Sequence, residues 1–495
     1  MVKKMTLLKI YHKLIFGSVA TPIPGVVCLN VFLMNLFESL IITNILPFLP
    51  HLVKALGVSE VDVAKKAAVI TLSLFISRIF SSLIWGYICD KCGIKLSIIW
   101  SIVGLIVSTL IFGFSSSITW CLLSRFLQGL FMGLGIITKA FISNLTDNTN
   151  QAAGLTLIFS GRSIGLIVGS SLGGFLAFPV QNYPHIFTKG SVFDLFKVFL
   201  PSIVIAAGLG IQLFLAIWLL PSDLCLLQML KLNDQSSKCY ENIEDKENTL
   251  FMNADSAQRI VSYRTCIDKI LQSNFVKLLS NPDYLLSNLL CVAHAIFSVG
   301  FEDLIPVFLA TSKKYNGVGM SAPDIGLLFL IIAITTILIQ VMSFNKLYNK
   351  FGAKKIFIWS SLMFSLLTIF LPLCGIIERK VSLWFALWIS QTIIRLCNTA
   401  GFLSVNIFIN NSVESDVVGL ANGLSSSMVS IGRTIGVAIF GNIYSWSMGN
   451  VHKKITTNDG LGFPFNQYWA FIIISIVCLA CVIICFCIPV RLNKK

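Results

Sequence analysis

The chain has 495 residues, of which 56% are hydrophobic and 12% are charged, and its mean hydropathy is +0.84. A soluble domain cannot bury that much apolar sequence, and apolar runs of about 20 residues recur that are long enough to cross about 30 Å of hydrocarbon. The composition excludes a soluble enzyme or binding module and predicts an all-α polytopic membrane protein. The formal net charge of +15 comes from Lys and Arg near the ends of the apolar runs, which is typical of cytoplasmic segments and does not indicate nucleic-acid binding.

Twelve spans are predicted, six on either side of a polar segment. The first six are Pro24–Leu46, Lys66–Trp85, Leu96–Phe114, Ile118–Lys139, Ala152–Phe178 and Val198–Leu220. The last six are Tyr284–Thr311, Ile325–Phe344, Ile356–Ile376, Leu383–Phe408, Val418–Trp446 and Tyr468–Val490. The layout predicts a first half over residues 1–220, a cytoplasmic linker over 221–281 and a second half over 282–495.

The turn between the second and third spans carries a dense charge pattern, G-x(3)-D-K-x-G-x-K. Its members are Gly86, Asp90, Lys91, Gly93 and Lys95. Glycine permits the backbone conformations of so tight a turn, and charges at helix ends are stabilised by the helix dipole and by water. The pattern resembles the loop 2–3 signature of the major facilitator superfamily. The resemblance implies twelve transmembrane helices in two six-helix halves and a latch in which Asp90 steadies the outward-facing state.

Eight ionisable residues lie inside predicted spans, where a charge costs about 2.5–3.5 kcal/mol on insertion scales unless it has a partner or a polar cavity. They are Glu38, Arg78, Arg125, Arg162, Glu302, Asp303, Arg395 and Arg433. Structural roles for all eight are improbable, which indicates a proton or substrate pathway. Glu38 is the best candidate for a carboxyl that exchanges a proton for a substrate cation, and the alternative is a fixed salt bridge.

Two further interpretations concern the acidic residues of the seventh span and a polar pattern in the fourth. Glu302 and Asp303 form an acidic pair at the mouth of the pathway or belong to a solvated helix end. Arg125 and Gln128 match the superfamily pattern R-x-x-Q-G in the fourth span, and this resemblance implies a role in proton coupling.

Glycines recur every four residues in the fifth span and predict a face for close helix packing. They are Gly161, Gly165, Gly169 and Gly173, with Gly174 beside the last. The pattern resembles the fifth-helix motif of proton-coupled antiporters of the superfamily, although Ser170 stands where that motif has proline. Plain small-residue packing is the alternative.

The two halves echo each other in sequence. Asp90–Lys95 has a decayed copy at Asn349–Lys354, Gly161-Arg162 recurs as Gly432-Arg433, and Arg125 matches Arg395, at offsets of 259, 271 and 270 residues. An even number of spans and basic terminal segments predict that both termini are cytoplasmic. The sequons at Asn144 and Asn410 then fall in cytoplasmic turns and are predicted to be unused.

Longer stretches resemble the zinc-induced-facilitator-like proteins of plants and their fungal relatives. They include Thr138–Phe141, Lys314–Gly319 and Gly419–Gly423. The resemblance implies a secondary transporter acting on small organic, cationic or metal-chelating solutes, with protons as the second substrate. The plant cysteine-rich N-terminal motif and a histidine cluster are absent from the sequence, so neither a metal site nor a cofactor is predicted.

The sequence thus predicts a proton-coupled antiporter that is not an enzyme, is a monomer and has the lipid bilayer as its surroundings. The alternatives are an uncoupled facilitator and a receptor or scaffold that kept the transporter fold. The sequence leaves open the substrate, the direction of transport, and the choice between a plasma membrane and a vacuole- or lysosome-like membrane.

Overall fold

The computed structural model describes residues 25–145, 151–220, 278–413 and 418–493. Every regular element among them is helical. The predicted linker 221–281 lies outside the described residues except for 278–281.

Six long helices precede the linker. They are α1 Gly25–Thr43, α2 Val63–Cys92, α3 Ile94–Gly113, α4 Ile118–Phe131 with its continuation Leu134–Leu145, α5 Gln151–Leu176 and α6 Phe199–Leu219. Short helices in the connections span Leu49–Ala55, Pro179–Asn182 and Val192–Leu195. We call α1–α6 the first half.

Six long helices follow the linker and form the second half. They are α7 Pro282–Ala310, α8 and α9 as the two parts of Ala322–Phe370, α10 Lys380–Asn411, α11 Val418–Thr456 and α12 Trp469–Phe486. The division between α8 and α9 is at Gly352, whose φ of 74° lies in the left-handed region. Short 3₁₀ helices occur at Lys313–Tyr315, Leu371–Ile376 and Val490–Leu492.

The twelve-helix prediction is confirmed. Ten helical segments of the described chain are long and apolar enough to cross a membrane. The helices α2 and α5 are the other two, and they take the second and fifth places in the predicted order. Odd-numbered helices begin on the side where α1 begins and α12 ends, which we call the terminal side. The other side, where α1 ends and α2 begins, is the opposite side.

The turns α2–α3 and α8–α9 are built alike on the terminal side. Gly93 has a φ of 89° and Gly352 a φ of 74°, and glycine adopts these values without the cost that a Cβ would add. Two residues later, Lys95 Nζ donates to two carbonyl oxygens at the end of α6, both at 2.8 Å. Lys354 Nζ does the same at the end of α12, at 3.0 and 2.6 Å. Each lysine therefore caps the last helix of its own half.

The glycines of α5 pack directly against the backbone of α1. A Cβ at Gly161, Gly165, Gly169 or Gly173 would overlap main-chain atoms of α1. Gly174 lies on the other face of α5 and approaches Gly326 of α8, in the second half. The stripe therefore sets the spacing between α1 and α5, and its last member contributes to the contact between the halves.

Candidate functional site

The two halves are joined by polar contacts on the opposite side. Lys54 Nζ donates to Glu60 Oε1 and to the Ala310 carbonyl oxygen, both at 2.8 Å. The same Glu60 oxygen accepts the backbone N–H of Ser312 at 2.8 Å. A lysine and a glutamate of the first half thus hold the end of α7 and the start of the next connection.

Two more hydrogen bonds join the halves on this side, and together with the contacts of Lys54 and Glu60 we call them the seal. The Ser445 hydroxyl of α11 donates to the Val61 carbonyl oxygen at 2.7 Å. His51 Nε2 lies 3.0 Å from the Met320 carbonyl oxygen. Burial, followed by the charge of Lys54, lowers the pKa of His51, so the neutral ring donates its single proton to that carbonyl.

The terminal side is joined more weakly among the described residues. Lys139 Nζ of α4 lies 3.4 Å from Ser426 Oγ of α11, a long hydrogen bond. The close backbone approach of Gly174 to Gly326 and the packing of Gly441 on Ala68 both occur near the opposite side. Among the described residues the polar contacts between the halves are therefore concentrated at the opposite side.

Glu38 is a paired carboxylate in this structure. Its Oε1 accepts from Arg78 Nη2 at 2.5 Å, and its Oε2 accepts from the backbone N–H of Gly135 at 2.5 Å. That N–H is free because α4 is broken at Met132 and Gly133, so Gly135 lies in the first turn of the second segment. Glu38 is 3% exposed. This geometry favours the salt-bridge alternative over a freely exchanging carboxyl.

Arg125 and Gln128 form a buried network within the first half. Arg125 Nη1 donates to Gln128 Oε1 at 2.8 Å and to the Ile41 carbonyl oxygen at 3.1 Å. Gln128 Nε2 continues the network to Thr109 Oγ1 at 3.3 Å. Arg125 is only 1% exposed, so this guanidinium fixes α4 against the end of α1.

Asp303 lies between the halves. Its Oδ1 accepts the hydroxyl of Thr71 of α2 at 2.9 Å, and both residues are buried. The charge of Arg125 also acts on this carboxyl from the first half. Among the described residues no cation lies within ion-pair distance of Asp303, so it is a buried carboxyl whose partners belong to the other half.

The side chain of Glu302 faces a different helix from that of Asp303, so the two carboxyls predicted as an acidic pair lie apart. Its Oε1 lies 3.6 Å from Arg395 Nη1 and 3.3 Å from Asn398 Nδ2. These residues line a pocket between α7 and α10, together with Gln391 and the apolar Phe301. Consecutive helix residues lie about 100° apart around the axis, which explains why one carboxyl faces α10 and the next faces α2.

Arg162 and Arg433 face the same space from opposite halves. The positive charge of Arg433 on α11 acts on Arg162 of α5, and Arg78 and Glu38 act on it as well. Both arginines are half-buried. They also follow equivalent glycines, Gly161 and Gly432, that pack on α1 and on α7.

The structure describes only part of the charged turn between α2 and α3 that the sequence analysis identified. Asp90 lies in the last turn of α2, and its side chain lies outside the description. Lys91 Nζ lies over the Tyr87 ring, 4.8 Å from its centroid, and a Cβ at Gly86 would meet open space. The role of this turn as a latch stays a prediction.

Sequence reasoning missed the polar residues that join the halves on the opposite side, and three further residues of the site. Thr71 and Lys139 are a hydroxyl and a cation within apolar runs, and Gly135 contributes only a backbone N–H. Lys139 is the last residue of the predicted span Ile118–Lys139, where a lysine is ordinary and gave no signal. The other two depend on which helices become neighbours.

Comparison with known proteins agrees with this architecture. Residues 31–316 and 290–494 match the family model described as Major Facilitator Superfamily. Protein ZINC INDUCED FACILITATOR-LIKE 1 of Arabidopsis thaliana is 24% identical over 464 residues, which are 92% of this chain and 90% of that protein. The Major facilitator superfamily multidrug transporter mfsB of Aspergillus fumigatus is 25% identical over 472 residues, 83% of this chain and 77% of that protein.

A solved structure supports the fold. The crystal structure of a D-xylose-proton symporter superposes with a TM-score of 0.64 at 13% identity, covering 95% of this chain and 98% of that one. At this identity the likeness concerns the arrangement of helices alone.

Proposed function

Because the chain belongs to the Major Facilitator Superfamily and is therefore a multi-pass membrane transporter and not an enzyme, we propose that it is a proton-coupled antiporter of small organic solutes. It works by alternating access, with the halves at residues 1–220 and 282–495 rocking about a central site. Both termini are cytoplasmic, so the terminal side is the cytoplasmic side.

The environment of Asp303 carries the proposal of proton coupling. An ionised carboxyl in the membrane interior is costly without a close cation. Here the described groups that favour the ionised form are Thr71 and the more distant charge of Arg125, and both belong to the other half. Protonation removes the attraction to Arg125, so the strength of the contact between the halves depends on whether Asp303 carries a proton.

The seal on the opposite side supports alternating access. Lys54, Glu60 and His51 would have to release the second half before a solute could leave toward that side. Asp303 lies below these contacts, toward the membrane centre. Its protonation therefore affects how readily the halves separate on the opposite side. Antiport is supported by the resemblance of the α5 glycines to the antiporter motif, and the choice of small organic solutes is supported by the multidrug transporter among the relatives.

The experiment uses the full chain in proteoliposomes with a pH-sensitive dye inside. Polyamines, metal chelates, monovalent cations, hydrophobic drugs and organic anions are added outside in turn. Antiport makes the lumen more alkaline as a solute enters, because protons leave. Symport makes it more acidic, an uncoupled facilitator leaves pH unchanged while the solute enters, and a scaffold without transport shows neither flux.

Asp303→Asn is the decisive variant. We expect solute exchange to persist and the proton flux to fall at least tenfold, because asparagine keeps the hydrogen bond and cannot titrate. Glu378→Gln, an exposed glutamate in the α9–α10 connection, is the matched control and should behave as wild type. Proton flux of wild-type size in Asp303→Asn would remove Asp303 from the coupling role.

A further inference from the structure

Four cations from four helices face the space between the halves. They are Arg78 of α2, Lys139 of α4, Arg162 of α5 and Arg433 of α11. Lys139 feels the charges of Arg162, Arg78 and Glu38, and Arg433 feels that of Arg78 across the interface. Lys139 reaches Ser426 of α11 at 3.4 Å, about two turns before Arg433 on the same helix, and Arg78 meets Glu38 at 2.5 Å. These cations therefore face one shared space.

Among the residues that the structure describes, a single carboxylate lies within this group. Glu38 is already engaged with Arg78 and with the Gly135 N–H, which leaves three positive charges in excess. Glu302 also acts on Arg433, but its closest cation is Arg395 at 3.6 Å, so it adds little to the balance. The uncompensated charges are those of Lys139, Arg162 and Arg433.

Several of these groups lack partners in the described part of the chain. Arg433 Nε and Arg78 Nη1 are buried atoms without a hydrogen bond there. Arg162 makes no ion pair with another described residue, and Lys139 makes only the long contact to Ser426. An unpaired guanidinium at a partly buried position is costly, so a group that the described residues do not supply is needed to balance it.

We propose that this cluster is the solute site and that it takes an organic anion with two or more negative charges, such as a polycarboxylate or a phosphorylated metabolite. The assignment rests on the proposed function only in that the space between the halves is the transport pathway. Guanidinium groups bind carboxylate and phosphate oxygens in a two-pronged geometry, and the lysine adds a point charge. Because Arg162 and Arg433 come from different halves, one polyanion neutralises both and draws the halves together.

The proposal differs from the cationic solutes that the family resemblance implies. A cation entering this space would meet three excess positive charges, and Glu38 would have to leave Arg78 to receive it. Like charges placed together in this way cost several kcal/mol. The charge balance therefore favours an anion.

The test measures binding to the purified full-length protein in lipid nanodiscs by thermal shift at matched ionic strength. The probes are citrate, inorganic phosphate and, as the polycation, spermidine. We expect citrate to raise the melting temperature more than phosphate and spermidine not to raise it. Stabilisation by spermidine alone would overturn the proposal.

Charge-removing variants locate the site. Arg162→Gln and Arg433→Gln should each weaken citrate binding at least tenfold, whereas Arg379→Gln, at an exposed arginine before α10, should bind as wild type. Wild-type citrate binding in both cluster variants would contradict the proposal. If either glutamine variant does not fold, Glu38→Gln replaces it: removing the carboxylate frees Arg78, so citrate should bind several-fold more tightly, and unchanged or weaker binding would count against the proposal.

The two proposals fail separately. Citrate binding that depends on Arg162 and Arg433, without proton flux in the dye assay, refutes proton coupling and leaves the anion site. Proton flux driven by spermidine, with no citrate binding, refutes the anion site and leaves proton-coupled transport.

Discussion

The two halves bring a pair of helices into close contact by different means. In the first half, Gly161, Gly165, Gly169 and Gly173 of α5 all face the backbone of α1. The equivalent positions of α11, 271 residues later, are Gly432, Gly436, Phe440 and Tyr444. The first two still pack on the α7 backbone, but Phe440 fills the space above Gly300, so there the small residue is on the partner helix.

This difference indicates which half is the more rigid. At the four glycines of α5 the contacts with α1 are mainly with backbone atoms, with the Thr43 hydroxyl added at Gly169, so few side chains there could rearrange. The far end of α11 packs through aromatic side chains. It also contacts the first half, where Gly441 meets Ala68 of α2 and Ser445 donates to the Val61 carbonyl oxygen just before α2. We infer that α1 and α5 move as one body, while side-chain packing lets α11 change its position during transport.

The largest expected effect is at the end of the glycine stripe. In Gly173→Ala the new Cβ overlaps the Asn44 carbonyl oxygen, a backbone atom that cannot rotate away. We expect a loss of about 3 kcal/mol or more, seen as a large fall in melting temperature or as failure to recover a monodisperse protein. Gly210→Ala of α6, where a Cβ would meet no atom within 4 Å, should change stability by less than about 0.5 kcal/mol. Equal melting temperatures would show that α5 is not held to α1 by this contact.

The next largest expected effect compares Arg125 and Arg395, which occupy equivalent positions in the two halves. Arg125→Met leaves the buried oxygens of Gln128 and Ile41 without their donor, which should cost about 2 kcal/mol or more. Arg395→Met removes a 3.6 Å pair whose side chains are each 35% exposed, and solvent screening keeps that cost below about 1 kcal/mol. Thermal melts of the two variants in one detergent measure the difference. A larger loss for Arg395→Met would reverse the order of rigidity between the halves.

The fold was largely predictable because membrane spans leave a strong apolar signal over about 20 residues. The sequence placed all the helices, although α2 begins at Val63 and not at Lys66 and extends beyond Trp85 to Cys92. It also identified Gly93 through its turn and Gly352 through the repeat. The break of α4 at Met132 and Gly133 left no such signal, because both residues also occur within ordinary spanning helices.

The site was less predictable because partners depend on rotation between helices. Sequence showed that Glu38 and Arg78 are both buried charges, but it could not show that they meet, nor that a broken helix supplies Gly135. Glu302 and Asp303 are neighbours in sequence, yet they contact different helices. The excess of positive charge between the halves emerges only when Arg433 is placed beside Arg162 and Arg78.

The smallest expected effect concerns a feature that the two halves share, the lysine that caps the last helix of each half. Lys95 and Lys354 each donate to two carbonyl oxygens at a helix C-terminus, so Lys95→Met and Lys354→Met should each cost about 0.5–1.5 kcal/mol. The sites are far apart in the chain and belong to separate halves, so the double variant should lose the sum of the two. Lys91→Met, at an exposed lysine that stacks on Tyr87, is the control for removing a charge from the same turn. Solute flux in proteoliposomes then shows whether these lysines only cap helices or also belong to a latch. If they only cap, the two single variants should have equal flux. If a latch is centred on Asp90, Lys95→Met alone should slow transport, because the second half has Asn349 at the equivalent position.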